Sequence, residues 1–295
     1  MRSFAYARPE SLDEATALMS ERVPSVRALA GGTDLLAELR DAPDGPDTIV
    51  DIGHLQELKG IEETEAGLRI GSLTTHSEIM RDPLVARHVP AMADAARSMG
   101  SVQIRNRGTI GGNLASGVPS LDGAPVLLAL DALVTVASTR GRRLVPISEF
   151  FVGPRRTVLA PDELLVEVIL PRAMLGRPAA FWKFGLRRGQ ALALVNAAAS
   201  LAVEGGGRIG DVRIALGAVA PTLIRARRAE TVLAGLSAGS GLEGALSQAG
   251  EVAASEARPI DDFRSSAAYR RDLIRVGTVR VLRAALARAS GVQDG

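Results

Sequence analysis

Short stretches with a helical period alternate with short apolar runs along this chain, and Gly, Pro and Asp fall between them. Ser11 precedes Leu12, Ala15, Leu18 and Met19 at helical spacing, with Glu14 three residues on, which predicts a capped helix. Residues 25–30 alternate as a strand and Gly31-Gly32 breaks it. A second helix is predicted from Thr33 or Asp34, with Leu35, Leu36 and Leu39 on one face, and a turn-rich DAPDGPDT loop leads to a strand at 48–52. Next come a strand at 68–72, a helix capped by Thr75 or Ser77, and a helix over 84–99. Residues 100–117 show neither period and read as a long loop, and such loops are usually functional. A helix at 125–130, a strand at 132–137 and a strand ending at Pro171 follow. After the Pro-bracketed stretch 171–178, apolar runs at 191–204 and 209–219 flank Gly205-Gly206-Gly207 as a hairpin. Helices are predicted over 226–236, 242–257 and 267–290, the last with Leu273, Val276, Val279, Val281 and Leu282 facing inward.

Composition narrows the picture. The 295 residues are 46% hydrophobic and 23% charged, enough to fill the cores of two or three domains and too apolar for disorder. Cysteine is absent, which excludes disulfides, thiol nucleophiles and any thiolate-held iron–sulfur cluster on this chain. No run is apolar and long enough to span a bilayer, and the first residues lack the apolar core of a signal peptide. A cytoplasmic protein with no membrane span is expected. An isoelectric point near 9.5 invites a nucleic-acid reading, but the net charge is only +2. Lys59 and Lys183 are the two lysines, so the remaining basic residues are arginines, in short clusters without interleaved aromatics. That is no phosphate-tracking surface, and nucleic acid is not an expected partner.

Two glycine loops carry the candidate chemistry. LAGGTDLL (29–36) lies between a predicted strand and helix, where glycine lets the backbone approach an anion and the helix start offers free N–H groups. The helix dipole adds roughly 0.3–1 kcal/mol to such binding. A tight turn with no ligand would use the same residues. QIRNRGTIGGNLASG (103–117) combines a flexible backbone with hydrogen-bonding groups at Thr109 and Asn113 and charge at Arg105 and Arg107. It reads either as the second half of a diphosphate cradle or as a surface loop with solvated arginines.

These two motifs, together with IGSLTTHSEI (70–79) and PIDDFRSSAAYRR (259–271), resemble the FAD-binding subunit of the molybdenum hydroxylases, the family of xanthine dehydrogenase, aldehyde oxidoreductase and carbon monoxide dehydrogenase. The likeness runs nearly end to end and keeps the family's order. It implies an α+β fold: a PCMH-type FAD-binding domain at 1–176, made of two α/β subdomains (about 1–57 and 58–176), then a C-terminal antiparallel-sheet-plus-helices domain at 177–295. Carried over by position, Ala30, Gly31, Gly32, Thr33, Asp34, Leu35 and Leu36 would wrap the FAD pyrophosphate. Thr109, Gly111, Gly112 and Asn113 would hold it from the other side, and Asp122, Leu165 and Lys183, four residues before Arg187-Arg188, match further flavin-contacting positions. The stretch SGVPSLDGAP after Asn113 is an atypical version of the family's loop, and Thr33-Asp34 stands where the carbon-monoxide branch has His-Ser.

The resemblance implies electron transfer through a non-covalently bound FAD. It places a molybdenum cofactor on a large partner subunit and 2Fe-2S clusters on a small one, in a dimer of heterotrimers. A stand-alone FAD oxidoreductase of the same fold and a flavin-free scaffold subunit are the rival readings. The residues show no catalytic acid–base pair, and His54, His76 and His88 make no metal-ligand pattern, so His76 reads as structural or as a neighbour of the flavin loop. Trp182, with Phe181 and Phe184, reads as strand packing.

Overall fold

β1 (Ala5–Ala7), α1 (Leu12–Glu21), β2 (Val26–Leu29), α2 (Leu35–Asp41) and β3 (Thr48–Asp51) form the first unit, with the strands parallel in the order β1-β3-β2. A computed structural model describes residues 3–41, 45–187, 189–237 and 241–291; the predicted DAPDGPDT loop lies partly outside these residues, and Arg188 wholly. Ser11 caps α1 by accepting from the Glu14 N–H, and Leu12, Ala15 and Met19 are buried, as their spacing predicts. β1 carries no sequence signal of its own, being three residues long and largely exposed. On α2, Leu35 and Leu39 are buried, but Leu36 is 45% exposed and turns away from them.

The second unit is built on an antiparallel sheet in the order β4-β5-β10-β6-β7. It begins with β4 (Ile61–Glu63) and β5 (Gly67–Gly71), then three helices, α3 (His76–Arg81), α4 (Pro83–His88) and α5 (Pro90–Ser98). Thr75 caps α3 through a reciprocal box with Glu78. The single helix expected over 84–99 is two helices, because Pro90 has no N–H to donate back and takes the first position of α5. The expected loop at 100–117 is also corrected. It holds α6 (Val102–Arg107) and α7 (Ile110–Ser116), capped by Ser101 and Thr109, and Gly117 ends α7 with φ +59°. Small residues and glycines hide the apolar period there, so only the caps announce the helices. α8 (Ala124–Ala129), β6 (Leu133–Ser138), β7 (Gly141–Pro146), the one-turn α9 (Ile147–Phe150), the small hairpin β8 (Phe151–Gly153) and β9 (Arg156–Thr157), and β10 (Leu164–Pro171) complete the unit.

The last sheet is antiparallel, β11 (Ala179–Gly185), β12 (Ala193–Glu204), β13 (Arg208–Gly217) and β14 (Ile224–Arg225) in sequential order. α10 (Arg227–Leu233), α11 (Leu242–Glu256) and α12 (Ala267–Ala289) cover one face. The other face meets α8, where Ala198 and Ala215 join the core of the preceding unit. α12 buries Leu273, Val281 and Leu282 as expected, whereas Val276 is 46% exposed. Trp182 is packing: it fills the space over Gly277, where a Cβ would lie 2.3 Å from its ring, and Arg280 stacks on it at 6.0 Å.

Candidate functional site

A cavity of about 1110 Å³ opens between β2–α2, the two short helices α6 and α7, and the start of β10. Ala30, Gly31, Gly32, Thr33, Asp34, Leu35, Thr109, Gly111, Gly112, Asn113, Asp122 and Leu165 all line it. Leu36 and Lys183 do not. The fold thus gathers residues from four separated stretches of sequence onto one wall.

Gly31 is what lets the two glycine loops meet. A Cβ there would sit 1.9 Å from the Arg107 carbonyl oxygen, so only glycine permits this backbone contact. Gly32 has φ +75°, a left-handed turn that exposes the N–H groups on either side. Among the described residues, nothing accepts a hydrogen bond from the backbone N–H of Gly31, Gly32, Thr33, Asp34 or Leu35; internal pairing begins at Leu36, which donates to the Gly32 carbonyl at 3.1 Å. Successive unpaired N–H groups around a left-handed residue make an anion-binding concavity. Burial and the neighbouring Glu38 push the Asp34 carboxyl up from its ordinary range, with Arg155 opposing, which softens the repulsion an anion would meet.

In the second loop the backbone N–H groups at the start of α7 are paired within the protein. The N–H groups of Ile110, Gly111 and Gly112 are already taken, by the carbonyls of Thr74 (3.0 Å) and Ser72 (2.8 Å) and by Thr109 Oγ1 (3.1 Å). What it offers the cavity is a close, small surface and the half-buried Asn113, whose side-chain amide bonds to none of the described residues. Arg105 and Arg107 do not line the cavity; Arg105 donates to the Met99 carbonyl at 2.8 Å. Among the described residues, Arg27 and Arg155 are the arginines on the wall, both drawn to Glu38, at 3.6 and 2.7 Å. No motif points to them, since their partner is on α2 and the contact is tertiary.

Asp122 and Lys183 are brought together. Lys183 Nζ donates to Asp122 Oδ2 at 2.5 Å and to the Ser98 carbonyl at 3.1 Å, and Asn196 Nδ2 donates to Asp122 Oδ1 at 3.2 Å. Both side chains are buried, so Lys183 is neither solvated nor free to reach the cavity. Burial raises the Asp122 carboxyl above its ordinary range, with the Lys183 charge and the hydrogen bonds from Lys183 and Asn196 opposing.

Sequence reasoning undervalued His76 and Ser72. Each is 2% exposed, lines the cavity, and has a side-chain atom (His76 Nδ1, Ser72 Oγ) without a partner. Burial, with Arg105 adding to it, lowers the imidazole to about 4. A folded-state value below the unfolded 6.5 means that the neutral ring's contribution is present above pH 6.5 and is lost as pH falls through 4. We expect the ligand-free chain to lose up to ~3 kcal/mol of stability across that window relative to His76→Phe. Parallel denaturant titrations at pH 7 and pH 4 check this; equal losses in both proteins would refute it.

Residues 2–173 match the FAD binding domain in molybdopterin dehydrogenase, and residues 180–285 match the CO dehydrogenase flavoprotein C-terminal domain. Among curated proteins, the putative xanthine dehydrogenase FAD-binding subunit of Escherichia coli K12 is 36% identical over 97% of each chain. The nicotine 6-hydroxylase medium subunit of Paenarthrobacter nicotinovorans is 38% identical over 91% of this chain and 92% of its own. Among solved structures, carbon monoxide dehydrogenase from Hydrogenophaga pseudoflava superposes with a TM-score of 0.91 at 33% identity, covering 97% of this chain and 98% of the other. The chain belongs to the FAD-binding, medium-subunit family of the molybdenum hydroxylases, and is an oxidoreductase subunit. No helix among the described residues is long and apolar enough to cross a membrane.

Proposed function

We propose that the cavity between the glycine loops holds one FAD non-covalently, and that this chain relays electrons from 2Fe-2S clusters on a small partner subunit to an external acceptor. A large subunit would carry the molybdenum cofactor, and the cytoplasmic complex would be a dimer of heterotrimers. Residues 1–176 would form the flavin domain, with subdomains at about 1–57 and 58–176, and residues 177–295 the C-terminal domain. The observation that carries the reading is the run of five unpaired N–H groups at Gly31–Leu35, which suits a diphosphate. The cavity volume exceeds the ~300–1,000 Å³ usual for small-ligand sites, as a dinucleotide requires.

In this reading the N–H groups of Gly31, Gly32, Thr33, Asp34 and Leu35 would orient the diphosphate. Thr109, Gly111, Gly112 and Asn113 would face it from the second loop, with Asn113 free to hydrogen-bond. Leu165 would give an apolar contact, and Asp122 would act as a fixed acceptor whose orientation Lys183 and Asn196 hold. Lys183 would therefore be a positioning residue rather than a direct ligand. Leu36, on the exposed side of α2, would serve the turn and not the cofactor. FAD supplies, when bound, a redox centre that takes electrons singly and releases them in pairs.

The purified chain should show a flavin spectrum that a chemical reductant bleaches. Aldehydes, purines and N-heteroaromatics should leave it oxidised until the two other subunits are added. Bleaching by such a substrate in the single chain, with no metal in the sample, would overturn the division of labour. A chain that stays colourless with added FAD would overturn the flavin assignment.

A further inference from the structure

The segment 72–77 carries polar side chains at Ser72, Thr74, Thr75, His76 and Ser77. Three of them are satisfied within the protein. Thr74 Oγ1 donates to the Gly60 carbonyl at 3.1 Å, Thr75 Oγ1 donates to Glu78 at 2.7 Å, and Ser77 Oγ donates to Asn106 Oδ1 at 2.5 Å. None of these three lines the cavity. The two that do, Ser72 and His76, are the two whose side chains keep an unpartnered buried atom. Buried polar groups are almost always paired, and leaving one unmade costs more than making it gains, so two orphans on one wall call for a partner that arrives from outside.

Their position narrows what that partner is. A Cβ at Gly108 would stand 3.5 Å from the His76 ring and 3.5 Å from Thr33 Oγ1, so the imidazole adjoins the turn with the unpaired N–H groups. The His76 N–H donates to the Gly108 carbonyl at 3.1 Å, and the Ser72 carbonyl accepts from Gly111, so both residues are tied to the second loop by their backbones. Their side chains are held in place without being used.

We propose that His76 and Ser72 are additional cofactor-binding residues, a neutral imidazole and a hydroxyl that hydrogen-bond the diphosphate-and-sugar linker of the nucleotide where the Gly31–Leu35 N–H groups meet it. This rests on the flavin assignment made above and extends it to two residues of the β5–α3 turn. A neutral donor suits the place: burial keeps the ring uncharged, and it adds hydrogen bonds without adding a fixed charge beside Asp34.

The full chain, stripped of flavin, is titrated with FAD by calorimetry as wild type, His76→Phe, His76→Gln and Ser72→Ala, and each flavin-free protein is melted. His76→Phe keeps the ring volume and removes both nitrogens. It should bind FAD at least tenfold more weakly while the flavin-free chain melts at the same temperature or higher, because an orphaned polar atom has gone. His76→Gln should recover affinity to within a few-fold of wild type, and Ser72→Ala should lose a few-fold. A merely structural histidine predicts a lower melting temperature in His76→Phe, and that result overturns the proposal. So does unchanged FAD affinity in His76→Phe while Gly32→Val loses it, an outcome that leaves the flavin assignment standing. Wild-type chain that binds no FAD defeats both.

Discussion

Replacing Gly32 by valine should abolish FAD binding and leave the chain folded. The space at this position is not the obstacle, because a Cβ would meet only the flexible ends of Leu36 and Leu29, at 3.0 and 3.1 Å. The obstacle is φ +75°, which disfavours an L side chain by ~1–2 kcal/mol and a β-branched one further. A chain of this size has ~5–15 kcal/mol in hand, so the fold absorbs the change by moving the turn into the ordinary region. That move rotates the adjoining peptide units and scatters the N–H groups of residues 31–35. A loss of at least 100-fold in FAD affinity, with a melting temperature lowered by only a few degrees, is the expected pair of results. Stoichiometric flavin in purified Gly32→Val would refute the diphosphate cradle.

The second large effect is expected at the buried pair of Lys183 and Asp122, the latter on the cavity wall. Lys183→Met removes the cation from a buried pair and strands Asp122, a change that costs about 3–5 kcal/mol in comparable sites. The carboxyl, already raised by burial, must rise further once Lys183 is gone. A raised carboxyl contributes stability below its unfolded pKa and loses it as pH rises through the folded value, so the deficit should be largest at neutral pH and shrink toward pH 4. Asp122→Asn/Lys183→Met should regain most of the stability at pH 7, since the amide needs no counter-charge. Denaturant titrations of the wild type, Lys183→Met and the double variant at the two pH values test this. A deficit that does not change with pH would mean that lost packing around the lysine stem, not the stranded charge, is responsible.

Gly31 and Gly111 show why the two loops were legible and their division of labour was not. Both stand in motifs that mark a place where backbone comes close to something. In the fold that something is other protein, Arg107 for Gly31 and Ser72 for Gly111, where a Cβ would lie 1.9 Å from the Arg107 carbonyl oxygen and 2.8 Å from the Ser72 carbonyl oxygen. A glycine written in a sequence states that a side chain is forbidden without saying whether a ligand or the protein forbids it. Lys183 carries the same ambiguity. Its rarity drew attention, but its charge is spent on Asp122, sixty-one residues away.

Local chemistry determined the helices with caps, the apolar strands and the two glycine turns, because capping, period and left-handed φ act over a few neighbouring residues. The same local rules failed at α6 and α7, whose caps are present but whose period is masked by small residues, and at β1, too short to show one. Family membership was also legible from the sequence, through four motifs kept in order. The tertiary structure alone decided which atoms are left without partners. Unpaired N–H groups at 31–35, and the orphaned atoms of Ser72 and His76, are properties of what the described residues do and do not bring near them. No window of sequence contains that information, because a hydrogen bond is satisfied or not by groups that are distant along the chain and adjacent only in the fold.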